Sequence, residues 1–309
     1  MFDPGQDNLD KFFDRPIKVT EAPSAFCDCH AHVFGPVERY PAASDEPAEG
    51  LEDFTTGAYR EVQAQLGTNR VVLVQPDHYG NDHDCLLDAM KILTKSLDGH
   101  SADLVRGVAA VHASVSDVEL EGLLAAGIIG TRFRMRGGGE GDGWEAVDRL
   151  AWRVHDFGWD VDLEMDGSDL HEVEQTIREW PGRVVLNHIG LFSRTRNLSQ
   201  QGFTALTRLI DRDKVWVKLS APYEMSRDRR IDDPAVADFA RALVDWAPER
   251  MVWGSNWPHV SMLENPPEDL MLLDRLVDWV PEESRRTRIL RDNPAKLYRF
   301  AAEDQVVKS

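Results

Sequence analysis

Three cysteines in 309 residues, Cys27, Cys29 and Cys85, are too few and of the wrong parity for a disulfide framework. Basic side chains are also short in number: 35 Lys and Arg face 54 Asp and Glu, for a formal charge of −19. A surface of that sign does not displace the counterions of nucleic acid, and anionic lipid repels it. No run approaches the ~20 apolar residues of a membrane span. The opening MFDPGQDNLDKFFDRP lacks the apolar core of a secretory leader. These absences set the expectation of a soluble, cytoplasmic protein in a reducing compartment, its acidity serving solubility. Two catalytic signatures are missing as well, the GxSxG elbow and the phosphate-binding loop.

What the chain does have is alternation. Short runs rich in β-branched residues stand at 25–30, 70–75, 104–111, 130–135, 160–165, 184–188, 215–220 and 251–255. Continuous apolar runs such as VVLVQ are typical of parallel strands buried on both faces. Between them lie segments with apolar residues at spacings of three and four: 56–66, 82–96, 117–125, 143–156, 168–180, 204–211 and 234–246. A last helix is expected over 294–300, started by an Asn293 cap and Pro294. Eight strand–helix units in about 250 residues are the size of an α/β (β/α)8 TIM barrel. An open doubly wound sheet often carries a Gly-rich turn after its first strand, and HAHVFGP is no such turn. The expected layout is a loose N-terminal arm over 1–22 and a barrel over 23–303 with a C-terminal helix.

Barrel chemistry sits at the C-terminal ends of strands. The first strand ends in His30-Ala31-His32. Positions i and i+2 share a face, so both imidazoles are expected at the mouth. There they can hold a divalent metal or hydrogen-bond a substrate. Cys27 and Cys29 are expected to be core residues on the opposite side of that strand. The sixth strand ends in Asn187-His188-Ile189-Gly190, which adds a third histidine. The eighth ends in Gly254-Ser255-Asn256-Trp257-Pro258-His259, a tight turn that would present Asn256 and His259. On the fourth strand Arg132 and Arg134 share one face. They either bind a substrate carboxylate or pair with Asp162 and Glu164 on the fifth. Gly137, Gly138 and Gly139 read as a flexible loop over the site. Asp77 and His78 follow the second strand and could line the pocket, as could Lys218 on the seventh.

In their order, DCHAHVFGP, VVLVQPDHYG, GTRFRM, VVLNHIG, VKLSAPY, VWGSNWPH and DNPAKLYRF resemble the amidohydrolase superfamily. The nearest part of it is the amidohydrolase-2 branch with its lactonases. The resemblance covers most of the chain. It implies a catalytic centre of His30, His32, His188 and position 256, acting on a small molecule by water attack. The same three histidines would hold one divalent metal such as zinc where a member uses one; other members use none. The family pattern at the eighth strand is GSDWP or GTDWP, whose Asp is the general base. Asn256 cannot take that role, because an amide is not basic at neutral pH.

Three accounts of Asn256 stay open: an introduced replacement, another base among His259, His188 and Asp77, or loss of hydrolysis. Arg132 is kept from the family's pocket, while Asp77, Glu164 and Glu224 add acids that repel a strongly anionic ligand. A neutral or mono-anionic lactone, sugar-derived or from aromatic-ring breakdown, is the expected substrate. The alternatives are a metal-dependent decarboxylase or C–C hydrolase, and a silent small-molecule-binding barrel. A homo-oligomer is left open.

Overall fold

Eight strands form where the β-branched runs occur: β1 Cys27–Ala31, β2 Arg70–Val74, β3 Val105–Ala109, β4 Ile128–Arg134, β5 Asp160–Glu164, β6 Val184–Leu186, β7 Val215–Leu219 and β8 Met251–Trp253. The structure, a computed structural model, describes residues 23, 25–43, 50–96, 104–135, 143–193 and 197–300. The expected arm over 1–22 and the loop at Gly137–Gly139 lie outside the described residues. All strand pairs are parallel and sequential, in the order β1 to β8.

A main helix follows each strand: α1 Thr56–Leu66, α2 Asp84–Ser96, α3 Asp117–Ala125, α4 Gly143–His155, α5 Leu170–Glu179, α6 Gln201–Asp211, α7 Pro234–Trp246 and α8 Asp269–Trp279. Caps begin several of them. Thr55 accepts from Ala58 N–H, Ser116 and Glu119 form a capping box, and Asp233 accepts from Ala235 N–H before Pro234 at the first position. The fold is the expected (β/α)8 barrel. Among the described residues no helix is long and apolar enough to cross a membrane.

Period-2 alternation sorts the strand side chains into two cores. Val71, Leu73, Val161, Leu163, Val217 and Leu219 pack outward among helix residues. Val72, Val74, Val108, Val185, Trp216 and Val252 point inward. Leu297, Tyr298 and Phe300 plug the inner core from the C-terminal segment. Arg70 and Arg106 stack on the Phe300 ring at 5.3 and 5.0 Å.

The ring closes between β1 and the residues after β8. His32 N–H donates to Trp257 O and Asn256 N–H to His30 O, both at 2.8 Å. Asp28 pins this seam. Its buried carboxylate accepts from His30 N–H, Ser255 N–H, Ser255 Oγ–H and Tyr59 O–H at 2.7–3.1 Å. Burial still pushes its pKa up to about 6, against those four donors. Gly254 lets the strands approach: a Cβ there would lie 2.7 Å from His30 Cβ.

Two sequence expectations need correction. Cys27 and Cys29 are core, but they point into the barrel with Val72 and Val252, on the side that His30 faces. The register of β1 on β2 shifts between Asp28 and Ala31. That bulge sets Cys29 and His30, adjacent in sequence, both inward. The last helix does not begin at an Asn293 cap. Asn293 has helical φ/ψ inside a run that starts at Glu283 and passes through a π turn over Arg288–Asp292. Its side chain bonds Pro248 O and Met251 O instead, each at 2.7 Å.

Candidate active site

Left-handed backbone gathers at the C-terminal mouth of the barrel. Seven of the ten non-glycine residues with positive φ among those described lie there: His188, Ile189, Leu191, Ala221, Arg229, Asn256 and His259. Each such residue costs of order 1–3 kcal/mol, and such strain clusters at working sites. It turns His188 and Asn256 toward one cavity of about 260 Å3. His32, Asp77, His78, Arg132, Arg134 and Glu164 line that cavity with them, as do Glu224, Arg229 and Ser261.

His30 and His259 do not reach the cavity lining. His30 lies one layer down, its ring 5.0 Å from His188 and 4.9 Å from His32. His259 sits behind Tyr223, whose hydroxyl bridges Asn256 Nδ2 at 2.8 Å and His259 Nδ1 at 2.9 Å. His259 Nε2 lies 3.3 Å from Asp269 Oδ1 on α8. Ser220 and Tyr223 fall within the VKLSAPY segment, which by itself assigns them no role, and Asp269 belongs to no motif. Ser220 approaches His188 Nδ1 at 3.0 Å.

Under the His pair runs a fixed line of polar groups. Val74 O lies 2.8 Å from His32 Nδ1, and the two Nε2 atoms meet at 3.2 Å. Lys218 Nζ lies 3.1 Å from His30 Nδ1 and 2.5 Å from Asp162 Oδ2. Asn187 Nδ2 donates to Asp162 Oδ1. Burial pushes the His32 pKa down to about 3, with Arg132 adding to the effect. Burial, and then Lys218, hold His30 well below its ordinary value. Both rings are therefore neutral at pH 7.

The arginines are matched with acids. Arg132 reaches Glu164 at 3.1 Å and Asp77 at 3.4 Å. Arg134 reaches Asp77 at 2.8 Å and Glu164 at 3.4 Å. Arg229 reaches Glu224 at 3.1 Å. Internal pairing of Arg134 thus occurs, through Glu164 and Asp77; Asp162 goes to Lys218 instead. Three guanidinium groups and three carboxylates line the mouth, so it is balanced in charge, not the anion-repelling acidic rim expected from Asp77, Glu164 and Glu224 alone.

A zinc ion does not suit this donor set. The 3.2 Å spacing of the two Nε2 atoms is close to the ~3.4 Å of two imidazoles on a tetrahedral ion. A ligating histidine, however, donates its other N–H to a carbonyl or carboxylate. His32 meets that condition at Val74 O, but His30 meets the ammonium of Lys218. No group of three His, Cys, Asp or Glu among the described residues is arranged to hold a metal.

Strand-end histidines, a β6 histidine and a β8 turn around one mouth define a barrel enzyme with its site at the strands' C-terminal ends. The chain belongs to the amidohydrolase family, whose profile matches residues 27–300. It is 30% identical over 285 residues to a 2-pyrone-4,6-dicarboxylate hydrolase of Comamonas testosteroni, covering 89% of this chain and 90% of that one. It is 31% identical over 245 residues to a D-galactarolactone isomerase of Agrobacterium fabrum, covering 79% and 80%. A solved structure from Agrobacterium tumefaciens superposes with a TM-score of 0.78 at 30% identity, covering 91% of this chain and 97% of that one.

Proposed function

We propose that this enzyme opens the ring of a small lactone by attack at its carbonyl, inside the cavity bounded by His32, His188, Arg132 and Asn256. The observation that carries this reading is the convergence of His32, His188 and Arg132 on one cavity of about 260 Å3, room for a single small ring. Donors fixed at a site that excludes water stabilise the oxyanion of acyl transfer. Arg132, cationic and buried, takes that role with His188. His32 has its Nδ1–H committed to Val74 O and its Nε2 facing His30, so it shapes the site and does not donate to the carbonyl. Relatives named for a pyrone dicarboxylate and for a galactarolactone support a lactone as ligand. The balanced rim favours a neutral or mono-anionic one, since a second carboxylate would have to displace an acid from its arginine.

Hydrolysis also needs a base for the water. Position 256 does not supply one, and Asp77, Glu164 and Glu224 are each held by arginine. His259 lies behind Tyr223 and outside the cavity lining, and His188 serves the oxyanion in this reading. A second reading follows from Asn256: the attacking oxygen is a hydroxyl of the substrate itself. A new ester C–O bond then forms as the old one breaks. The hydroxyl proton passes to the departing alkoxide, and no water is consumed. The relative named as a lactone isomerase supports it.

Incubating the enzyme with a panel of aldonic and aldaric acid lactones in 18O-water separates the readings. Hydrolysis places 18O in the product carboxylate; isomerisation changes ring size with no label. A panel that shows neither ring opening nor ring migration would contradict both.

A further inference from the structure

We propose that Lys218 decides which nitrogen of His30 carries its proton, and so turns a histidine pair with metal-ligand spacing into a donor–acceptor pair that rejects a divalent cation. The assignment comes from the two ends of the line. A lysine ammonium only donates, and a peptide carbonyl only accepts. With Lys218 Nζ at 3.1 Å, His30 Nδ1 is the acceptor and its proton sits on Nε2. With Val74 O at 2.8 Å, His32 holds its proton on Nδ1 and its Nε2 is a lone pair. The 3.2 Å contact between the two Nε2 atoms is then an N–H···N hydrogen bond from His30 to His32. Two metal ligands would both need bare Nε2 atoms there.

The groups around Lys218 hold this order in place. Lys218 is fully buried, so no bulk water replaces it as a partner. Asp162 holds it at 2.5 Å, and Asn187 occupies the other carboxylate oxygen. Trp216 and Lys218 share the inward face of β7 by period-2 alternation, which aims the ammonium up at His30 from the apolar layer below. Neither Lys218 nor Asp162 lines the cavity. Lys218 is thus a positioning residue that acts through His30, whichever ligand the cavity takes.

The test reads proton positions and zinc uptake, which an ion pair serving stability alone would not control. Full-length protein carrying 15N-histidine is examined by long-range 1H–15N correlation, with His30→Gln and His32→Gln used to assign the rings. Opposite tautomers are expected, Nε2–H for His30 and Nδ1–H for His32. Finding His30 as Nδ1–H in the wild type overturns the proposal, and this arm needs no variant of Lys218. In the second arm Lys218→Met is combined with Asp162→Asn, so that no charge is left buried alone. Titration with zinc chloride is expected to show affinity about ten- to a hundredfold above wild type. A folded double variant with wild-type tautomers and unchanged zinc affinity overturns the proposal equally. Lys218→Arg, which keeps a donor, should retain the wild-type pattern; a flipped His30 ring there also counts against it.

Discussion

The lower and upper halves of the barrel interior are both built on inward-facing positions of the strands, yet they share almost no chemistry. Below, Cys27, Cys29, Val72, Val185, Trp216 and Val252 close against Leu297, Tyr298 and Phe300. Above, toward the C-terminal ends of the strands, stand His30, His32, Asp162, Lys218 and Arg132, all buried. The lower half resembles any apolar core and contributes burial. The upper half buries charges and polar rings that are costly unless each is answered by a partner. Strain follows the same division, because the left-handed residues His188, Ile189, Asn256 and His259 belong to the upper rim. Stability is concentrated at one end of the strands and reactivity at the other.

That division can be broken most forcefully from below. Trp216→Ala removes a fully buried ring on which Arg250 and Lys296 stack. It should cost about 3–5 kcal/mol in a urea melt, while turnover per folded molecule is unchanged. The opposite signature is expected from above. His188→Ala should lower kcat by about 10^2- to 10^3-fold with a much smaller loss of stability; a large loss in both would erase the distinction.

Acid sharpens the comparison. Both inner imidazoles have folded pKa values below the unfolded ~6.5, His32 near 3 and His30 well lowered. The unfolded chain therefore binds more protons, and stability falls as pH drops below about 6.5. The slope is up to about 1.4 kcal/mol per pH unit for each ring. Asp28 opposes this. Its raised pKa of about 6 gives a contribution present below the unfolded value and lost as pH rises through about 6. Two imidazoles against one carboxyl leave a net loss between pH 6.5 and 4, measurable by denaturant melts at each pH. The smallest effect belongs to the exposed rim. Arg134→Ala breaks a pair at 2.8 Å with Asp77 in which both side chains are about half exposed, and should cost less than about 1 kcal/mol.

Much of the fold was legible because burial on both faces writes β-branched runs into the strands, and all eight appear within a few residues of their expected places. The exception among the large helices is α8, Asp269–Trp279, behind Pro266 and Pro267; with it went Asp269, the partner of His259. The lining of the candidate site was legible in His32, His188, Arg132 and Asn256, where motif position and barrel geometry bring the residues to one cavity. Three features were not. The β1 bulge depends on register with β2, which leaves no mark on composition. Lys218 looked like a lone cation, and its meaning lies in His30, 188 residues away. Tyr223 reaches Asn256 only through the turn after β7.

Asn256→Asp checks the proposed reading most directly: the mouth activates a lactone carbonyl, and Asn256 withholds the carboxylate base that the resemblance places there. With a lactone that the wild type binds, the initial rate of 18O incorporation from labelled water should rise by about 10^2-fold or more in the variant. An unchanged hydrolysis rate in a folded, lactone-binding variant would contradict it.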